Sequence, residues 1–497
     1  MSKRSDRPGT GSVRAGLYTA ASMLVVSAIA GAVGVVIARK FGRTDETDGL
    51  LAAYGVFIVI AIAAQAIRVA VLPDLSRAKD GDRLASEVAA QVLALALLAV
   101  PLLLVAELGA DAVAWVLTGA GSDVARDTAA AALRWMVPAA VTYLFAGVAA
   151  SALAALDDYG TAALGYGAGG ILGLAFIVVR ADTDGIIAVA RGMTVNAAVA
   201  LAVPAVALAF RAVRDAMPTA AARPGGLPLR GRLTAFAVSA ALPLALQLLY
   251  VLCLPFASRV GTGAPTSFVY AYLAAASLVA VAAASLGLAT SVPLTRRGVD
   301  AEAMAHHIVA SSWIALTLVG AAAGVFALAG GDVVEALLGR AYAGDVGADV
   351  GRLVVALSPW TVAFVGVSVS FPLAFVVART RALPWIALAA LGLEVPLAWL
   401  GSSLFDLDGL AASLAVTTFL ILGLLLRELQ VFEPAMRGLL LAGSVVGAIT
   451  TGSFALAAFV PGSAASAAVG LLVYVVALAL VRPRGLATSW RYLRALG

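Results

Sequence analysis

The pattern of hydrophobic and polar positions is a series of long apolar stretches separated by short polar turns. A helix rises 1.5 Å per residue, so about 20 apolar residues cross the hydrocarbon layer of a bilayer. Fourteen stretches of this kind are predicted: 16–38, 50–72, 84–106, 129–156, 161–179, 185–210, 233–257, 267–294, 308–329, 353–378, 383–400, 409–426, 438–460 and 464–481. The expected fold class is therefore an all-α polytopic membrane protein with about 14 transmembrane helices.

Composition agrees with this pattern and narrows the function. Charged residues make up 12% of the chain, against about 25% in soluble domains. Hydrophobic residues make up 62%, and the mean hydropathy is +1.01. That balance excludes a water-soluble enzyme and a disordered chain. Aromatic residues are only 7%, so the helices are built mainly from Ala, Val, Leu and Gly. A single cysteine, Cys253, excludes an internal disulfide and a Cys-rich metal site. The two histidines, His306 and His307, are adjacent and point about 100° apart on a helix, so they do not form an i, i+4 metal pair. With no Gly-x4-Gly-Lys-Ser/Thr loop, the chain is not expected to hydrolyse ATP. No cofactor, no metal and no nucleic-acid partner are expected.

The net charge of +5 reports orientation. With the N-terminus inside, 22 Lys and Arg fall in inner segments, eight in outer segments and three within spans. The positive-inside rule then puts both termini in the cytoplasm of a plasma (inner) membrane. Lys3, Arg4, Arg7 and Arg14 precede a 23-residue apolar run. That run is longer than the 7–15 residues of a signal peptide's apolar core, so an uncleaved first span is expected.

Three patterns recur at nearly one offset. Pro73, at the end of the second stretch, is matched by Pro293 at 220 residues, and Pro138 by Pro359 at 221. Asp182-Thr183-Asp184-Gly185 is matched by Asp406-Leu407-Asp408-Gly409 at 224. Six helices lie within the offset, so both copies enter the membrane in the same sense, as a parallel repeat. The expected organisation is a tail (1–15), an N-lobe of six helices (16–210), a cytoplasmic basic linker (211–232), a C-lobe of six helices (233–428), and helices 13 and 14 with a cytoplasmic tail (429–497). Transporters built this way bind substrate between their halves and alternate access by rocking them.

Gly165, Gly167, Gly169, Gly170 and Gly173 resemble a nucleotide-binding loop in spacing alone. No strand precedes them and their flanks are apolar, so close helix packing is expected, with Gly169 and Gly173 four apart. Ionisable residues inside spans are costly and mark function by default. Arg68, Arg134 and Arg191 are candidates to bind an anionic headgroup, because the guanidinium fork grips phosphate bidentately. Snorkelling to the interface is the alternative for Arg68 and Arg134. Gln65, Asn196, Gln247 and Tyr250 are candidates to line the same cavity, with inter-helix hydrogen bonding as the alternative. Glu394 sits near mid-membrane, so it is protonated, paired or facing water, and is the candidate coupling residue. At an offset of 224, Arg191 corresponds to Ala415 and Glu394 to Gly170, so the shared architecture requires neither charge.

Local motifs extend the reading. They are Val36-Ile37-Ala38-Arg39-Lys40-Phe41-Gly42 with Thr47-Asp48-Gly49, the helix end Val71-Leu72-Pro73-Asp74-Leu75-Ser76-Arg77, and Pro138 through Asp157-Asp158-Tyr159-Gly160. The second half adds Tyr270-Ala271, Leu286-Gly287-Leu288-Ala289-Thr290 to Pro293, Leu337-Leu338-Gly339-Arg340, and Asp408-Gly409-Leu410-Ala411-Ala412-Ser413. Over roughly residues 16–480 the chain resembles the MurJ/MviN family of lipid II flippases, within the multidrug/oligosaccharidyl-lipid/polysaccharide (MOP) exporter superfamily.

The resemblance implies a flippase that translocates a polyprenyl-diphosphate-linked saccharide across the plasma membrane. A coupling ion or the membrane potential would drive it, and cell-envelope synthesis proteins are potential partners. In that family, arginines of helices one, two and eight face the cavity. Here the first stretch has no charge, with Ser27, Ala28 and Gly31 where the family has Ser-Arg-x-x-Gly. The second stretch has only Arg68, and Tyr272-Leu273 stand where helix eight of the family has Asp-Arg. Lipid II specificity therefore does not carry over with the fold. The alternatives are an exporter of drug-like cations on the same scaffold and a non-transporting scaffold for cell-envelope enzymes.

Overall fold

The computed structural model describes residues 28–80, 83–214, 227–279, 300–377 and 379–496. The start of the first expected span and the second half of the eighth lie outside the described residues, as do the side chains of Gln65 and Arg68.

Among the described residues every regular element is a helix. In the first half these are α1 (28–41), α2 (Asp45–Asp80), α3 (Leu84–Leu108), α4 (Ala110–Thr118), α5 (Asp123–Ala155), α6 (Tyr159–Asp184), α7 (Ile187–Arg214) and α8 (Leu229–Ala257). Then follow α9 (Ala264–Val279), α10 (Ala301–Leu338), a 3-10 turn (Arg340–Tyr342), α11 (Asp345–Ala356) and α12 (Ser358–Val376). The chain ends with α13 (Leu383–Glu428), α14 (Phe432–Ala457), α15 (Ser463–Val481) and α16 (Arg484–Leu496). Starts follow capping chemistry: the side chains of Ser122, Asp158 and Asp300 accept from the backbone N–H three residues on, opening α5, α6 and α10.

Eleven of these helices are long and apolar enough to cross a membrane. The expected fourteen exceed that number for two reasons. Two expected spans, the first and eighth, run into residues that are not described. The eleventh and twelfth form one continuous helical stretch, α13, of 46 residues. Straight, α13 would measure about 69 Å, more than twice the hydrocarbon thickness. It is instead a hairpin, broken at Phe405 and at Asp406, which has φ 50° and ψ −130°. Glu394 and Ser413, 19 residues apart, are hydrogen-bonded across it at 2.9 Å, where a straight helix would separate them by about 28 Å. Gly401 and Gly409 face each other where the arms cross, with backbone in the space a Cβ would take. The tenth expected span is itself interrupted: α11 stops at Ala356 and α12 restarts with Pro359 in its first turn.

Two backbone features recur at nearly one offset. The helix break at Gly109 (φ −116°, ψ 8°) recurs at Ala329 (φ −124°, ψ 15°), 220 residues later. The turn at Gly185 (φ 59°, ψ −148°) recurs at Asp406, 221 residues later. Gly185 therefore corresponds to Asp406 and not to Gly409; the paired Asp-x-Asp-Gly strings are offset by three residues from the structural match. In the corrected register Glu394 corresponds to Gly173, Ser413 to Gly192, Thr417 to Asn196, and Arg191 to Ala412. The other copy still lacks both charges.

The chain forms two compact units. One carries α1 to α7 and α8 as far as Gln247; the other carries the chain from Leu248 onward, together with Gly42–Thr44 and Gly119–Gly121. In the first unit α2 lies along α5, and α7 packs on both α5 and α6. In the second, α10 is the central element, touching α11, α12, α14, α15 and α16. Within the expected linker, residues 211–214 continue α7 and residues 229–232 open α8.

Candidate functional site

The α6–α7 crossing shapes the first unit. A Cβ on Gly173 would come within 2.7 Å of the Gly192 carbonyl oxygen, and one on Gly169 within 2.5 Å of the Asn196 carbonyl oxygen. The glycine string is thus helical packing, as its four-residue spacing predicts. Beside this crossing lies a cavity of about 210 Å³ lined by α1, α2, α5, α6 and α7. Aromatic rings dominate it: Tyr54 stacks on Phe57 at 5.9 Å, Phe57 meets Tyr143 edge-on at 5.9 Å, and Tyr143 stacks on Tyr166 at 6.0 Å. Among the described residues that line it, none is Lys, Arg, Asp or Glu. Asn196 is the one predicted site residue among them; its side chain interacts with Tyr143, while its Oδ1 is buried without a hydrogen-bond partner.

The equivalent place in the second unit holds an acid. Glu394 is fully buried. Its Oε1 accepts from Ser413 Oγ at 2.9 Å and from Cys253 Sγ at 3.3 Å, while Oε2 makes no hydrogen bond of good geometry. The Thr417 hydroxyl lies beside the same carboxyl. Both donors have a second partner on their own helix, Leu410 O for Ser413 and Leu249 O for Cys253. Where one copy packs Gly173 against Gly192 and leaves an open aromatic cavity, the other places a carboxyl on a hydroxyl.

Arg134 and Arg191 are not among the residues that line the cavity of the first unit. Arg191 donates to Asp184 at 2.7 Å and lies over the Trp135 ring at 5.4 Å, and Arg180 shares the same carboxylate. The α6–α7 turn makes this possible, since it folds Arg191 back beside the end of α6. Arg134, half-exposed, faces Asp111 at 3.3 Å. Gln247 is buried in α8, and Tyr250, buried on the same helix, stacks on Tyr272 at 4.2 Å. Within the first unit, Arg134, Arg191 and Gln247 do not line the cavity that Asn196 lines.

One pair was not anticipated. Glu87 of α3 and Arg232 of α8 are each 2% exposed and form a two-pronged ion pair, Nη2 to Oε2 at 2.9 Å and Nη1 to Oε1. Gln91 also donates to Glu87 Oε1 at 3.1 Å. Arg232 reads as the end of a solvated linker, yet it is buried in the first turn of α8. The available signal was Glu87 and Gln91 at i, i+4 inside an apolar stretch. No cluster of three or more potential metal ligands occurs among the described residues.

No protein-family model and no curated protein matches the sequence. Solved structures match by fold. The lipid II flippase MurJ in its inward closed conformation is similar with a TM-score of 0.71, over 95% of this chain and 99% of that one, at 14% identity. An inward-facing multidrug resistance MATE transporter of the MOP superfamily gives 0.64 over 87% and 98%, at 14% identity. The eukaryotic MATE transporter AtDTX14 gives 0.61 over 88% and 100%, at 14% identity. The chain is an all-α polytopic membrane protein with the fold that MurJ and the MATE transporters share.

Proposed function

We propose that this protein is a membrane transporter that translocates a polyprenyl-diphosphate-linked saccharide, lipid II or a related cell-envelope precursor, across a plasma membrane. The observation that carries the reading is coverage. MurJ spans 95% of the chain, whereas the two MATE structures are themselves nearly fully matched and leave more of this chain over. Glu394 is the coupling residue in this reading: a carboxyl buried among hydroxyls and a thiol, with one oxygen unengaged, is equipped to carry a proton. Arg134 and Arg191 are proposed as phosphate contacts, for which a diphosphate would have to displace Asp111 and Asp184.

A second reading, export of a lipophilic cation, is favoured by one feature. Among the described residues the cavity of the first unit offers aromatic faces and no cation, which suits an organic cation better than a diphosphate. Proteoliposomes separate the two. The flippase reading expects a fluorescent polyprenyl-diphosphate saccharide to become accessible to an impermeant reagent faster with the wild type than in protein-free vesicles, and more slowly with E394Q. Absence of flipping together with uptake of a lipophilic cation replaces it with the second reading.

A further inference from the structure

The chain's last acidic residue is Glu433, and the 64 residues after it carry five arginines. Four of these, Arg482, Arg484, Arg491 and Arg494, fall within 13 residues at the C-terminal end. The span α15 ends at Val481; Arg482 adopts the left-handed conformation (φ 42°), Pro483 follows, and α16 begins at Arg484. The helix α16 thus starts within three residues of the end of a membrane span.

One flank of α16 is fixed to α10. Gly485 lies against the Trp313 ring, and Leu486 packs on the cluster of Trp313, Leu316, Ala442 and Val446. Ser489 is buried, and the Tyr492 ring meets His306 edge-on at 4.5 Å. At 100° per residue, positions 485, 489 and 492 share this arc, while 484 and 491 fall together on another. Arg484 and Arg491 are exposed there, as is Arg482, and Trp490 on the next arc is 52% exposed. Among the described residues none of these three arginines has an ion pair; Arg482 and Arg491 approach only backbone carbonyls of Ala479 and Ala487. Asp300 and Glu302 at the start of α10 are the nearest acids in the sequence of the element that α16 packs on, and neither is paired with them. Elsewhere among the described residues nine arginines hold carboxylates, Arg191 and Arg232 among them.

We infer that α16 is a headgroup-binding helix, with Arg482, Arg484 and Arg491 engaging the phosphates of anionic phospholipids and Trp490 seated in the interface beside them. Among the described residues the charge is uncompensated, and guanidinium groups suit phosphate. Tryptophan favours the headgroup level, and the preceding span holds the helix at that level. A soluble nucleic acid or acidic protein would satisfy the charge, but would leave Trp490 and the adjoining span without a role.

The test uses the full chain in vesicles of phosphatidylglycerol and phosphatidylcholine, with one or the other lipid brominated near the headgroup. The quenching of Trp490 is read as the difference between wild type and W490F. Brominated phosphatidylglycerol is expected to quench Trp490 more than brominated phosphatidylcholine, and the preference is expected to vanish at 1 M salt, where the Debye length is about 3 Å. Each of R482Q, R484Q and R491Q should raise the phosphatidylglycerol fraction needed for half-maximal quenching about fivefold. Equal quenching by both lipids, quenching by neither, or a preference that survives salt and the three substitutions together would overturn the inference. The salt titration needs no substitution at the arginines, so a variant that fails to fold does not block the test.

Discussion

Replacing Glu87 with Gln leaves the Arg232 guanidinium 2% exposed and without a counter-charge. Both prongs of the pair are lost as charged contacts, and so is the compensation for burying a cation between α3 and α8. Breaking a buried pair from one side typically costs about 3–5 kcal/mol, because the desolvation of the surviving charge is no longer offset. That is a large share of a total stability of about 5–15 kcal/mol. In a unit of this size it corresponds to a fall in Tm on the order of 10 °C. R232M should do the same from the other side, leaving Glu87 with the Gln91 amide as its hydrogen-bond partner. The double variant E87L/R232M removes both charges and should lie closer to the wild type than either single variant. The assay is thermal unfolding of detergent-solubilised protein followed by intrinsic fluorescence, all variants in one detergent. Single variants that each cost less than about 1 kcal/mol, with an additive double, would show a solvated pair and refute the reasoning.

Three further outcomes are expected. E394Q should change stability by less than about 1 kcal/mol, because Ser413 and Cys253 each have a carbonyl on their own helix to fall back on; transport in the same preparation should fall, and a stability loss as large as that of E87Q would make Glu394 a structural residue. D406G should stabilise and G185A destabilise, each by about 1–3 kcal/mol, since both positions hold a positive-φ turn and a Cβ on Gly185 meets nothing within 4 Å; equal and unchanged melting temperatures would remove backbone strain as the cause. G173A should cost about 1–3 kcal/mol by pushing its Cβ to within 2.7 Å of the Gly192 carbonyl oxygen and 2.8 Å of Asn196 Cβ, measured by thermal unfolding, and an unaltered Tm would mean that α6 and α7 separate freely.

The spans were legible because lipid imposes one requirement, a run of about 20 apolar residues, that composition displays directly. Pro138 and Pro359 give in the sequence the offset at which the turns recur, but not which turn residues match. Asp-x-Asp-Gly strings mark a turn without fixing which residue takes the positive φ, and Asp406 takes it in one copy where Gly185 takes it in the other. The extra turns of α10 beyond Ala329 and the helix α16 carry polar residues, so apolar run length passes over them. In the candidate site, burial of Glu394 followed from its place in the span, but its partners did not. Ser413 comes from the returning arm of a hairpin and Cys253 from α8, 141 residues away. The ion pair of Arg191 was not legible, because the turn at Gly185 brings Asp184, seven residues earlier, beside it. Arg232 falls at the end of the expected basic linker, and its burial was not legible because its partner lies 145 residues earlier in the sequence.

The two donors on Glu394 belong to different mechanical parts. Ser413 lies in the same hairpin, where the Gly401–Gly409 crossing keeps the arms together. Cys253 lies on α8, so displacement of the hairpin along α8 would part the thiol from the carboxylate while leaving the hydroxyl in place. Cys253 is also the chain's single cysteine and is fully buried. The wild-type protein thus carries its own chemical label for this motion. The rate at which a maleimide finds Cys253 is a clock for the parting of α8 from the hairpin, read without introducing any residue at all.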